Sequence, residues 1–313
     1  MGQVLGEVRR KGLLGAVPPP ALVLSGIVSV QVGAGLAAKL FSVVPPAAVT
    51  GVRLWTAAVI LAGLGARGLG RALRGLVRRR AGSDAAVVVA FGLTLAVMNF
   101  AIYQSFARIP LGIAVTVEFL GPLAVAVAAS RHLLDIVWVL LAGIGVALLT
   151  RGAGPAGGAA HPAGLNLAGL AFALLAAACW AVYILLSAAT GRRFPGSSGL
   201  AIAMGVAAVA VTPVGIIAGG RALLRPEVLG AGLGIGLLSS IIPYSVELEA
   251  LRRVPAKVFG IWMSLEPAVA ALVGLVMLGQ SLAGREWAAI GCVVVASAGA
   301  AWGSRRPAPP PEA

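Results

Sequence analysis

Ten stretches of the chain, approximately 21–43, 46–66, 85–107, 110–129, 134–150, 166–187, 198–218, 228–250, 256–278 and 286–303, are almost wholly apolar. A helix needs about 20 such residues to cross a bilayer core of roughly 30 Å. Backbone placed in hydrocarbon must satisfy its own hydrogen bonds, and a helix does so within one segment. The expected fold is therefore an all-α polytopic membrane protein with ten transmembrane helices. Hydrophobic residues make up 59% of the chain and charged ones only 11%, against roughly 45–50% and about 25% in soluble domains. No soluble core of this length could hide that much apolar surface, so lipid is the expected surroundings.

The net charge of +14 would suit a nucleic-acid binder, but the basic residues sit in the short gaps between apolar runs. With the N-terminus placed in the cytoplasm, seventeen Lys and Arg fall on one side and five on the other, leaving Lys39 and Arg53 inside helices. The charge thus reads as a topology signal with both termini cytoplasmic, and no nucleic acid is expected as a partner. The basic N-terminus precedes an apolar run too long for a signal-peptide core, so an uncleaved first membrane helix is expected. Cys179 and Cys292 lie in apolar runs and read as packing residues, and His132 and His161 form no metal-ligand pattern. No metal, cofactor or enzymatic motif is expected. The match of residues 63–68 to a nucleotide fingerprint closes a membrane helix and links no strand to a helix.

Overlaying the chain on itself at an offset of 145 residues aligns "RIPLGIAVTVEFLGPLAVAV" with "RVPAKVFGIWMSLEPAVAAL". The turn prolines Pro110 and Pro255 coincide, as do the mid-helix prolines Pro122 and Pro267. Each half, 1–150 and 151–303, holds five spans, and the remaining 304–313 reads as a disordered cytoplasmic tail. Five is odd, so the halves enter the membrane in opposite directions, giving the inverted repeat of alternating-access transporters.

Pro122 cannot donate to the carbonyl of Glu118, and Pro267 likewise leaves that of Met263 without its partner. Each half therefore sets a carboxyl, Glu118 or Glu266, beside a weak point in its fourth helix. Intramembrane carboxyls usually face an interior pathway, which marks both for substrate binding and proton exchange. The bland alternative is a pair of buried acids matched by Lys39 or Arg53, and Lys39 could equally snorkel to the interface. Pro122, Pro243 and Pro267 are the expected hinges. "IPYSVELEAL" adds Tyr244 as a substrate residue and Glu247 as a proton carrier, with Glu249 expected to pair with Arg252 or Arg253. Gln31, Asn99, Tyr103, Trp180 and Tyr183 complete the expected substrate-binding set, although helix–helix hydrogen bonding or an interfacial belt would explain each as simply.

Four stretches carry a family resemblance: "SVQVGAGLAAKLF", "PLGIAVTVEFLGPLAVAVAASRHLLDIVWVLLAGIGVALL", "ACWAVYILLS" and "IPYSVELEALRRVPAKVFGIWMSLEPAVAALVGLVMLGQSL". They resemble the EamA-type branch of the drug/metabolite transporter superfamily, and within it the threonine and homoserine exporter (RhtA) group. The resemblance implies a bacterial inner-membrane exporter of small amino acids, driven by protons, with a central cavity between two five-helix halves. It marks Glu118, Pro122, Tyr244, Glu247, Glu266 and Pro267 as positions that matter. Export of other metabolites or drugs is the alternative that the same resemblance leaves open.

Overall fold

A computed structural model describes residues 17–79, 82–128, 134–150, 166–194 and 197–303. All regular structure among them is helical. Eight helices are long and apolar enough to cross a membrane. Four are single: α1 (Pro19–Leu40), α2 (Pro46–Leu64), α4 (Gly82–Phe106) and α8 (Leu167–Gly191). The others are composite. They are α5 (Leu111–Glu118) with α6 (Leu120–Ala128); α9 (Ser198–Gly219) with a 3-10 turn at Gly220–Leu224; α10 (Pro226–Gly236) joined through a π-helical turn, Leu237–Ile241, to α11 (Ile242–Leu251); and α12 (Ala256–Met263) with α13 (Glu266–Leu278). Two further apolar helices, α7 (Leu134–Thr150) and α14 (Gly284–Gly303), pack against each other. The exposed surface is what a chain solvated by lipid shows: Ile217 and Val276 are 84% and 81% exposed.

Proline punctuates the helix starts. Pro19, Pro46 and Pro226 occupy first-turn positions, where the missing N–H has no intrahelical acceptor to lose and the fixed φ suits the helix. Pro110 and Pro255, the two turn prolines in repeat register, cap α5 and α12 with φ/ψ of −54/141 and −56/140. The interruptions match as well. Phe119 ends α5 at −66/−12 and Ser264 ends α12 at −62/−13, so both of these composite helices yield just ahead of their prolines.

The stretch after α2, expected to be a charged connection, is helical instead. α3 (Ala66–Arg79) places Arg67, Arg71, Arg74 and Arg78 at spacings of three and four, one face of a helix.

α8 lies along α4, and α11 along α1; α9 contacts α2 and α4, and α10 contacts α2. α13 packs on both α5 and α1, while α5 and α6 pack on α8. Glycine permits two of these crossings. A Cβ at Gly112 would stand 2.7 Å from Ala271 Cα, and one at Gly121 only 2.2 Å from the Ala177 carbonyl oxygen.

Candidate functional site

α1, α2, α4, α5, α8, α11, α12, α13 and the π-helical turn line a cavity of about 330 Å³, at the small end of the roughly 300–1,000 Å³ typical of ligand sites. Its carboxyl wall is built from α13 and α1. The break at Ser264 and Leu265 makes Glu266 the first residue of α13, where the side chain turns inward and is only 6% exposed. Gln31 Nε2 donates to Glu266 Oε1 at 3.0 Å. Gln31 Oε1 and Glu266 Oε2 then remain buried without a partner. Glu118 and Glu247 line the same cavity.

The opposite chemistry depends on a backbone defect. Pro243 has no N–H to give to the carbonyl four residues back, that of Ser239. The chain responds with the π-helical turn, in which the Ile242 N–H reaches the Leu237 carbonyl. Two carbonyls are thereby freed, and side chains from other helices take them. Ser29 Oγ donates to Leu238 O at 2.7 Å, and Arg53 Nη2 donates to Ser239 O at 3.2 Å. Arg53 Nη1 donates to Asn99 Oδ1 at 2.7 Å, while Asn99 Nδ2 donates to Leu95 O at 2.8 Å. The guanidinium carbon also lies 5.3 Å from the centre of the Tyr103 ring.

Among the described residues, seven buried side-chain polar atoms lack a hydrogen-bond partner. Five of them, Gln31 Oε1, Arg53 Nε, Tyr103 Oη, Ser239 Oγ and Glu266 Oε2, belong to residues lining this one cavity. Buried polar groups left unpaired are costly and uncommon. Here they are gathered in one place, as donors and acceptors that a small polar solute could satisfy.

The threonine/homoserine exporter RhtA of Escherichia coli strain K12 is 38% identical over 282 residues, covering 90% of this chain and 90% of that protein. The RhtA protein of Salmonella typhimurium strain SL1344 is 38% identical over 288 residues, 92% of each. The EamA-like transporter family profile matches residues 167–302. The chain belongs to the EamA-like transporter family. A Bacillus subtilis family relative named as an uncharacterized transporter, YwfM, is 30% identical over 131 residues, 42% of this chain and 44% of its own. A solved structure covering 89% of this chain and 95% of its own superposes with a TM-score of 0.57 at 20% identity, a likeness of fold. This EamA-family chain is a multi-pass protein of the bacterial inner membrane.

Within the EamA-family chain, Gln31, Asn99, Tyr103, Glu118, Trp180, Tyr183, Pro243, Glu247 and Glu266 all line the cavity. Trp180 packs edge-on against Phe119, ring centres 5.5 Å apart, and Tyr183 lies 5.3 Å from Phe91. Pro122 and Pro267 stand behind the wall, next to the breaks they cause. Tyr244 belongs to α11, but its side chain lies outside the described residues. Lys39 is not a partner for the cavity carboxyls. It is exposed in the last turn of α1, eight residues or about 12 Å beyond Gln31. Arg53 does face the cavity, but an amide and a carbonyl hold it, and no carboxylate lies within ion-pair distance of it among the described residues.

Ser239 was not among the residues that polarity and depth selected, yet it offers both a hydroxyl and the carbonyl that holds Arg53. The available signal was the proline four positions later. Glu249 turns away from the cavity and pairs with Arg253 and, at 3.4 Å, with Arg252. Glu249→Gln should therefore leave transport unchanged in the assay that registers Glu247→Gln, since this pair lies away from the cavity-lining residues.

Proposed function

We propose that the chain exports threonine, homoserine and similar small amino acids by alternating access of two inverted five-helix halves, with proton exchange at Glu118, Glu247 and Glu266. The export named for the RhtA relatives supports the substrate class. The observation that carries the reading is the set of five unpartnered polar atoms on one cavity, which supplies donors for a carboxylate and acceptors for an ammonium. Gln31, Tyr103, Trp180, Tyr183, Tyr244, Glu118 and Glu266 are the proposed substrate contacts, with Asn99 lining the same cavity as the partner of Arg53, and Pro122, Pro243 and Pro267 the hinges.

Counting α7 and α14 with the eight long spans gives ten, with both termini cytoplasmic. Exchange the first five spans for the second five, and the packing maps onto itself: α4 on α8 becomes α11 on α1, α9 on α4 becomes α2 on α10, and α6 on α8 becomes α13 on α1. That invariance supports repeats over 1–150 and 151–303. Three carboxyls beside one guanidinium form a set able to gain and lose protons as a zwitterion arrives and leaves. A second reading has one observation behind it. Tyr103, Phe106, Trp180, Tyr183 and Phe259 line the cavity although only 5% of the chain is aromatic, which would suit a larger or aromatic solute.

Counterflow of labelled threonine in proteoliposomes, with and without a pH gradient, tests the proposal. Threonine accumulation that homoserine suppresses and ethidium does not is the expected result. No threonine flux would remove the substrate assignment, and flux indifferent to the gradient would remove the protons. Pro122→Ala with Pro267→Ala restores two N–H donors and stiffens both fourth helices. Threonine binding should persist while exchange slows by about tenfold, on the order of 1.4 kcal/mol added to the opening step.

A further inference from the structure

We propose that the Arg53 guanidinium is the ligand for the substrate's α-carboxylate, and that Asn99 positions Arg53 and does not itself bind substrate. The proposal rests on the export reading and gives its substrate a direction.

Among the described residues, Arg53 is the one cationic side chain lining the cavity. Its two terminal nitrogens are fixed by Asn99 Oδ1 and the Ser239 carbonyl, and the Tyr103 ring lies beneath it. These partners hold the group still, yet all are neutral, and Glu118, a carboxyl that feels its charge, makes no ion pair with it among the described residues. A half-buried cation held by neutral groups is costly to maintain. The fork keeps Nε–H unpartnered, and the hydroxyl of Tyr103, from the helix that holds Asn99, is unpartnered too. A planar carboxylate is the anion that guanidinium recognises best.

The Asn99 amide, by contrast, is already engaged at both ends, by Arg53 and by the Leu95 carbonyl. On the wall built from α13 and α1, Glu266 Oε2 and Gln31 Oε1 are acceptors without donors, the complement of an ammonium group. The cavity thus offers one set of atoms for negative charge and another for positive charge. It requires a free carboxylate and excludes amines, amino alcohols and amino-acid amides.

The test uses the purified full chain in detergent, reading competition against labelled threonine and ligand-induced thermal shifts. The probes are L-threonine, L-homoserine, other α-amino acids, L-threonine amide and the amino alcohol that replaces the carboxylate of threonine. Wild type should bind threonine about a hundredfold more tightly than its amide. In Arg53→Gln that ratio should fall to near one, while Arg53→Lys, a charge without the fork, should keep part of it. Asn99→Asp sets a carboxylate against Arg53 and should lower the ratio as Arg53→Gln does, an effect that loosened packing alone would not produce. The unliganded melting temperature of each variant checks its fold, and Arg53→Lys serves if Arg53→Gln does not fold. Full discrimination retained without the guanidinium overturns the proposal. Wild type that ignores threonine and homoserine but binds another amino acid and rejects its amide removes the substrate assignment and leaves Arg53 in place. Wild type that binds the amide as well as the acid overturns the assignment of Arg53.

Discussion

Glu266→Gln should reduce threonine export by two orders of magnitude or more while the protein still folds. The substitution keeps the shape of the side chain, and an amide oxygen can still accept from Gln31 Nε2, so the contact between α1 and α13 survives. The negative charge is lost, and with it the acceptor pair that faces the substrate ammonium. Removing one partner of a buried charge pair costs about 3–5 kcal/mol, and each 1.4 kcal/mol is about tenfold in affinity. Threonine counterflow should vanish at substrate concentrations that saturate wild type, with the unliganded melting temperature little changed. Glu266→Gln protein that binds and exchanges threonine normally would remove Glu266 from the site.

Gly121→Val should be the most damaging single change to stability. Even the Cβ of alanine would stand 2.2 Å from the Ala177 carbonyl oxygen and 3.0 Å from its carbon. Both belong to helix backbone, so no side chain can rotate aside and α6 must leave α8. Overpacking typically costs 1–3 kcal/mol, and a backbone collision with a branched side chain should reach the upper end or beyond. A melting temperature lower by roughly 10 °C is the expected reading. Gly205→Ala is the control, because a Cβ there meets nothing within 4 Å. Comparable losses at both positions would show that the approach of α6 to α8 is not what demands glycine.

The spans were legible because lipid leaves one signal, the length of an apolar run, and that signal survives any detail of packing. The kinship of the two proline turns was legible because proline acts on its own backbone: the register of Pro110 with Pro255 reappears as matching cap angles. The interruption of the run 256–278 was half legible, since Pro267 announces a defect without saying that it falls at Ser264. α3 went unread because arginines between apolar runs look like a topology signal before they look like a helix face. Arg53 could be placed in a helix but not given a partner. Its partners lie 46 and 186 residues away, and nothing local in "GVRLW" encodes either. The engagement of Asn99 with Arg53 was out of reach for the same reason, since it runs between helices. Lys39 could not be decided from the sequence either, because a buried position and a snorkelling one share the same sequence; it is the exposed one.

One further consequence follows from where the two anchor pairs sit. Arg53 belongs to the first five helices and the Ser239 carbonyl that steadies it to the second five; Gln31 and Glu266 straddle the same seam. On the proposed reading, neither end of a bound zwitterion would rest on a single half. Rocking of the halves apart on one side of the membrane would take a support from the guanidinium and the amide neighbour from the carboxylate in the same movement. Grip and release would then be properties of the seam, with the cargo let go at both ends together and not left tethered by one.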